Sequence, residues 1–374
     1  MKKLLTKMLA VASAIAVSMT ANTWKALKTK ADEIPDFSYF GTVGTLTEVQ
    51  TTVVAESFYE AFQNHSTVAE FDFQNEADKI DMSIEAMESV QMIYDALTHE
   101  YDTGILAVKK RIQCGVESSI DNFSNYLGSA GFSYYVGDEG NDSIFTALMG
   151  QLDEISALVL DEWSDVEKAL FLHDYLAYHY DFDNTVYATS AQNLLRHTAY
   201  GMLSRKMAVC EGYASLYSML LNREGILSRM MVSDSMGHAW NLVRIGEEWF
   251  HVDVTWDDCY DTHIGAVKHD SFLKDTQSMK KSGHTSDDWR TFTATTESNF
   301  LFSSRYVDGF WSTSNAVIFY DNGEWFAVTP KEEYPYTAEY SWYHYDAETN
   351  SAEKRFLFSD THYWNVVSNC AKIN

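Results

Sequence analysis

A chain of 374 residues with 46% hydrophobic content holds enough apolar material for a sizeable core and for more than one domain. Its formal charge of −27 repels phosphate and argues against a nucleic-acid partner; it fits a solvated exported protein, or one that meets a basic substrate or divalent cations. Only Pro35, Pro330 and Pro335 are prolines, so long proline-rich linkers are absent.

Residues 1–31 read as a signal peptide and linker. Lys2, Lys3 and Lys7 precede an apolar, small-residue run from Met8 to Met19, and Ala21 is a candidate residue before cleavage. The run is short for a membrane span, although Lys25, Lys28 and Lys30 leave a retained anchor open. The expected location is secreted or cell-surface, with no stable membrane span. Cys114, Cys210, Cys259 and Cys370 are few cysteines for an exported chain, so no disulfide framework is expected to organise it. Spacing alone selects no bridge among Cys114, Cys259 and Cys370.

Residues 32–160 read as an N-terminal α/β module without assigned chemistry. Helical spacing runs from Leu46 to Phe62 and again from Met82 to Leu97, with a strand at Thr67 to Phe73 between them. Phe132 to Val136 reads as a further short strand. The acidic stretch Gly137 to Asp142 reads as a solvated loop, since it lacks the ligand spacing of a calcium loop.

Residues 161–290 carry the chemistry. Ser164 and Glu167 form a capping-box pattern, and Val166, Ala169, Leu170, His173, Leu176 and Ala177 make the inner stripe of the helix that follows. His173 on that stripe reads as a satisfied core histidine, and Asp174 as a local partner. After a polar loop, Asp181 to Thr189, Cys210 stands just before the apolar run Tyr213, Ala214, Leu216, Tyr217, Leu220 and Leu221, which Gly225 closes. That places the thiol in the first turn of a buried helix, where such sites lower a thiol pKa to roughly 3.5–7.5. Gly212 is expected to leave room for a substrate backbone. The plain alternative is a small buried apolar cysteine.

Gly237 to Arg244 and Trp249 to Trp256 read as a hairpin around a turn at Ile245 to Glu248. Phe250, Val252, Val254 and Trp256 share one face; Trp249, His251, Asp253 and Thr255 share the other. In this register Trp240 opposes Asp253, and His238 becomes the diagonal neighbour of Asp253 on the same face. A slip of one residue would separate the pair. Cys210, His238 and Asp253 then supply a nucleophile, a base and an orienting acceptor. His251 is the second candidate for the base. The Cys210 backbone N–H is one candidate oxyanion donor, and a side chain between Gln192 and Tyr200 another. His251, Cys259, His263, His269 and His284 raise a zinc alternative, but no metal-type spacing appears. No cofactor and no metal site are expected.

Residues 291–374 form an aromatic-rich β module. Val317 to Val328 reads as a hairpin over Asn322-Gly323, and Tyr340 to Tyr345 with Lys354 to Phe358 as another. Its tyrosines and tryptophans read first as packing on the core, and second as faces for a cell-surface polymer.

Val209-Cys210-Glu211-Gly212-Tyr213-Ala214, His238-Ala239-Trp240-Asn241 and Trp249-Phe250-His251-Val252-Asp253-Val254-Thr255-Trp256-Asp257-Asp258 resemble the bacterial transglutaminase-like superfamily. Lys168 to Leu176 and Ala199 to Leu203 resemble it too. The resemblance implies an α+β fold: a papain-like core with a catalytic helix packed on an antiparallel sheet, flanked by the N-terminal α/β module and the C-terminal β-rich module. It also implies Cys210 as nucleophile, His238 as base and then acid, and Asp253 orienting His238. The expected function is a secreted cysteine enzyme, a peptidase or acyl transferase acting on peptide or glutamine-type amides through a thioester, with a protein or peptide as substrate. The alternative is a catalytically silent binding or scaffold module of the same fold.

Overall fold

Thr47 and Gln50 cap each other's backbone N–H groups and so start the first long helix. It is seen in a computed structural model that describes residues 34–360 apart from 109, 120–123, 136–137, 186–189, 259–264, 295–299 and 334–335. The expected export signal, Cys259, His263 and Cys370 lie outside the described residues. The N-terminal part runs α1 (Glu48–Gln63), β1 (Val68–Glu70), β2 (Ile80–Asp81), α2 (Ile84–Glu100), β3 (Gln113–Ser118), β4 (Asn125–Gly131) and α3 (Asp138–Ser156). Strand β4 pairs antiparallel with β1, β2 and β3. Val54, Phe58 and Phe62 of α1 meet Ile93, Tyr94 and Leu97 of α2 in one apolar cluster.

Two readings of this part are corrected. The strand expected at Phe132 to Val136 lies earlier, at Asn125–Gly131. Phe132 owes its strand-like look to packing on Phe58 and Phe62. The acidic loop expected at Gly137 to Asp142 is helical from Asp138 onwards. Acidic residues suit a helix start, where the free N–H groups carry partial positive charge.

The central part runs α4 (Asp165–His179), β5 (Asp181–Phe182), α5 (Ser190–Leu195), α6 (Ala199–Arg205), β6 (Met207–Ala208), α7 (Cys210–Arg223), β7 (Ser228–Ser233), β8 (His238–Ile245), β9 (Glu248–Val252), α8 (Val254–Asp257), α9 (Thr276–Ser282) and β10 (Arg290–Thr291). The Ser164–Glu167 capping box starts α4 as expected. Every residue of α7 from Gly212 to Leu221 is buried. One side of α7 meets the antiparallel sheet β10-β7-β8-β9 through Ala214, Met230 and Ala239. The opposite side joins Leu170, Leu176 and Met202 in the largest core.

The register of β8 on β9 pairs Asn241 with Val252 and Ile245 with Glu248. That register keeps the offset that the sequence reading required, and His238 and Asp253 meet at 2.6 Å just beyond the last paired residues. The turn is shorter than expected, Gly246-Glu247, with Gly246 at φ 61°. The second strand also ends sooner, at Val252. Asp253 accepts the Trp256 backbone N–H and caps α8 in place of the strand expected to reach Trp256.

The last sheet is the antiparallel meander β11 (Phe319–Asp321), β12 (Glu324–Glu333), β13 (Tyr336–Asp346) and β14 (Ser351–Asp360). Asn322 and Gly323 both adopt positive φ, the geometry of a two-residue hairpin turn. Trp325, Ala327 and Tyr343 enter the same core as α4 and α7. Trp325 also donates its indole N–H to Glu167 at 2.8 Å. No described helix is long and apolar enough to cross a membrane.

Candidate active site

Cys210 is the first residue of α7, half-buried, at a helix start whose cap residue Val209 offers no side-chain acceptor. The Val209 N–H donates to the Arg196 carbonyl at 3.0 Å, which fixes the approach to the thiol. Gly212 serves this packing rather than a substrate. A Cβ there would stand 2.5 Å from the Ala208 methyl and 3.0 Å from the Arg196 carbonyl oxygen. The expectation that it clears space for a substrate backbone is therefore corrected.

His238 opens β8 directly after Gly237, which takes φ 59° to close the turn from Asp234. Asn241, on the same strand, donates to the Ala214 carbonyl at 2.9 Å and to Ser218 Oγ at 2.8 Å. Strand and helix are thus tied together one to two turns beyond the nucleophile. His238 Nε2 lies 2.6 Å from Asp253 Oδ2, and the ring interacts electrostatically with the Cys210 thiol. Burial alone would lower the pKa of His238. The Asp253 charge, its hydrogen bond and the Cys210 contact outweigh burial and raise it to about 10. Burial works against the Asp253 carboxylate too, yet the two rings beside it, His238 and His284, hold it well below the usual range. His284 Nε2 is 2.8 Å from the same Oδ2. Trp256, exposed by 38%, lies against His284 at 3.9 Å between ring centroids and flanks His238 at 5.4 Å.

The three residues singled out as a triad are thus brought together. His251 is not part of the group. It is buried, its Nδ1 accepts the Trp240 indole N–H at 3.0 Å, and its Nε2 faces Thr276 Oγ1 at 3.2 Å. Burial and then the nearby His284 lower its pKa to about 3, so it is neutral. From the segment between Gln192 and Tyr200, His197 Nδ1 reaches Glu211 at 2.9 Å, and His99 Nε2 meets the same carboxylate at 2.8 Å.

His173 is buried and satisfied, as expected, between Asp174 at 2.8 Å and Asp257 at 3.2 Å. Its pKa is raised to about 9: burial opposes this, and the hydrogen bonds and charges of the two aspartates prevail. Asp174 also meets His269 Nε2 at 2.9 Å. The separations in both His–Asp–His groups are hydrogen-bond distances, and atoms sharing a tetrahedral zinc would stand about 3.3 Å apart. Sequence reasoning named His284 and His269 only as zinc candidates. The mark that could have found His284 is the helix stop Gly283 just before it.

A half-buried thiol at a helix start, beside a histidine that hydrogen-bonds an aspartate, is the arrangement of a cysteine-enzyme fold. Residues 156–254, which include Cys210, His238 and Asp253, match the sequence profile of the transglutaminase-like superfamily. Among solved structures, the chain is similar to a TGase at 18% identity, covering 40% of this chain and 46% of that one, with a TM-score of 0.28. It is also similar to a protein provisionally described as a cysteine protease from Cytophaga hutchinsonii, at 13% identity over 38% and 62% of the two chains, TM-score 0.23. A third, provisionally described as a protease from Parabacteroides distasonis, shares 10% identity over 71% and 66%, TM-score 0.25. The chain thus spans under half of the first structure and just under two thirds of the other two. No curated protein matches the chain.

Proposed function

We propose that this protein is an exported cysteine enzyme that cleaves or transfers amide-linked acyl groups through Cys210, His238 and Asp253. The observation that carries this reading is the 2.6 Å hydrogen bond between His238 Nε2 and Asp253 Oδ2, on a ring that also interacts with the Cys210 thiol at the start of α7. Cys210 Sγ, as thiolate, attacks the carbonyl carbon of a peptide or glutamine-type amide. The oxyanion that forms is met by the Cys210 backbone N–H at the helix start. His238 then gives its proton to the leaving amine, the C–N bond breaks, and a thioester remains. Water, or an amine in the transfer case, attacks that thioester while His238 takes its proton, and the C–S bond breaks. Asp253 holds the ring in place through both steps. Hydrolysis is the favoured outcome, because excluding water would need a shaped acceptor site. Export rests on the lysine-led apolar run at the N-terminus.

The test is alkylation at pH 6 with mass mapping, on the full chain beside His238→Ala. Fast labelling of Cys210 that drops at least ten-fold in the variant supports an activated pair. Labelling at the rate of an ordinary thiol, unchanged in His238→Ala, overturns the reading. A catalytically silent binding module would then be the better account.

A further inference from the structure

Asp253 has three polar neighbours and uses one oxygen twice. Its Oδ1 accepts the Trp256 backbone N–H at 3.2 Å. Its Oδ2 meets His238 Nε2 at 2.6 Å and His284 Nε2 at 2.8 Å. We propose that His284 is a positioning residue of this site, which shares Asp253 Oδ2 with His238 and so limits how tightly Asp253 holds the His238 ring. The proposal rests on the cysteine-enzyme reading for its purpose, though not for its test.

His284 is built in rather than draped over the site. It is fully buried, and its backbone N–H donates to the Met279 carbonyl at 3.1 Å at the end of α9. Gly283 before it takes φ 121°, and a Cβ there would meet the Trp256 ring at 3.0 Å. Trp256 covers one side of the His284 ring, and Trp240 meets it edge-on at 5.1 Å. The titratable groups facing this cluster are Cys210, which interacts with His238, Asp253, which meets both rings, and His251, whose pKa is lowered by burial and then by His284. His251 is neutral, so Asp253 is the anion that both rings share.

The chemistry gives the sharing a purpose. His238 must release a proton to a leaving amine, and a carboxylate that binds its imidazolium too tightly makes it a poorer acid. Drawing part of Oδ2 toward a second donor weakens that hold. Loss of His284 should not free Asp253 to swing away, because the α8 cap still holds Oδ1. The sign of the effect is also fixed. Removing the second donor leaves Asp253 Oδ2 a stronger partner for His238, so the loss favours protonated His238.

The opposing account is that His284 merely fills space between two tryptophans. His284→Phe keeps a ring and loses the donor, whereas His284→Gln loses the ring and keeps an N–H donor near the Nε2 position. The experiment is an NMR titration of the His238 ring in the full chain, with melting curves confirming the fold. The Phe variant should raise the His238 midpoint by roughly one unit, about ten-fold in proton affinity, and the Gln variant should leave it near the parent value. Should the Phe variant not fold, His284→Met, similar in shape to Gln but without a donor, takes its place. A midpoint unmoved by Phe or Met overturns the proposal, as does a shift in Gln alone. An unreactive Cys210 in the parent would instead overturn the functional reading, and the His238 titration would still decide the role of His284.

Discussion

Asp257 Oδ2 lies 3.2 Å from His173 Nε2 in the interior, and Asp257 closes the helical turn that Asp253 opens. Asp257 also accepts the Ser271 backbone N–H, at 3.0 Å through the same oxygen. On its other side, His173 meets Asp174, whose Oδ2 accepts the Ile318 backbone N–H at 2.7 Å. A buried line of charge therefore runs from the edge of the last sheet to the turn carrying Asp253. His173→Leu would remove the histidine that both buried carboxylates share, leaving Asp174 with His269 and the Ile318 N–H and Asp257 with the Ser271 N–H. Breaking such a buried ion pair typically costs about 3–5 kcal/mol. Urea unfolding should show a loss of that size, and a loss below about 1 kcal/mol would mean that the line does not hold the fold.

Stability should peak in mildly acidic solution. His173 and His238, raised to about 9 and about 10, contribute stability that is complete below pH 6.5 and is lost as pH rises through those values. Glu100 and Asp258 are both pushed up to about 7, chiefly by burial, so their contribution is lost earlier, between roughly pH 4 and 7. Opposing them, Asp174, held at about 2 by His269 and His173 against burial, and Asp253, also depressed, contribute stability that is lost as pH falls below about 4. Denaturant midpoints measured from pH 3 to pH 10 should be highest near pH 4–5. A maximum at pH 8 or above would contradict these shifts.

The candidate site was legible where local patterns carry it. The apolar run after Cys210 is helical in spacing, and the alternation in β8 and β9 fixed the register that brings His238 to Asp253. Alternation also misled at Val254, Thr255 and Trp256, which favour strands. Their helical turn depends on the Asp253 side chain capturing the Trp256 N–H, which binary patterning does not reveal. His284 stands 31 residues beyond Asp253, with no periodic signal to tie them. Strand β4 was missed because Gly128, Ser129 and Gly131 are poor strand formers, held there by pairing with β1, β2 and β3. His173 could be read as a core histidine from its helix stripe. Its partners Asp257 and His269 come from distant segments, beyond the reach of spacing.

Gly212→Ala should slow alkylation of Cys210 while leaving the chain folded. The added methyl would press on the Ala208 side chain and the Arg196 carbonyl, which fix the start of α7. Overpacking of this kind typically costs about 1–3 kcal/mol. Labelling rate and melting temperature should both fall. A variant that labels like the parent would show that the α7 start tolerates displacement.

Asn241→Leu tests whether the strand bearing His238 is held to the helix bearing Cys210 by polar contacts or by packing alone. Asn241 is buried, and its amide donates to the Ala214 carbonyl and to Ser218 Oγ. Leucine has nearly the same size, so the core around Ala214 and Met230 stays filled while the donors are lost. Ser218 Oγ keeps Ser228 Oγ as a partner at 2.9 Å, which limits the damage on the helix side. A net loss of about 1 kcal/mol is expected for each hydrogen bond removed. The functional effect should exceed the stability effect, because a shift of β8 relative to α7 changes the distance between His238 and Cys210 directly. Cys210 alkylation at pH 6 should therefore slow several-fold in a variant whose urea midpoint has moved only modestly. Unchanged alkylation with the expected loss of stability would place the Cys210–His238 alignment in the surrounding packing instead.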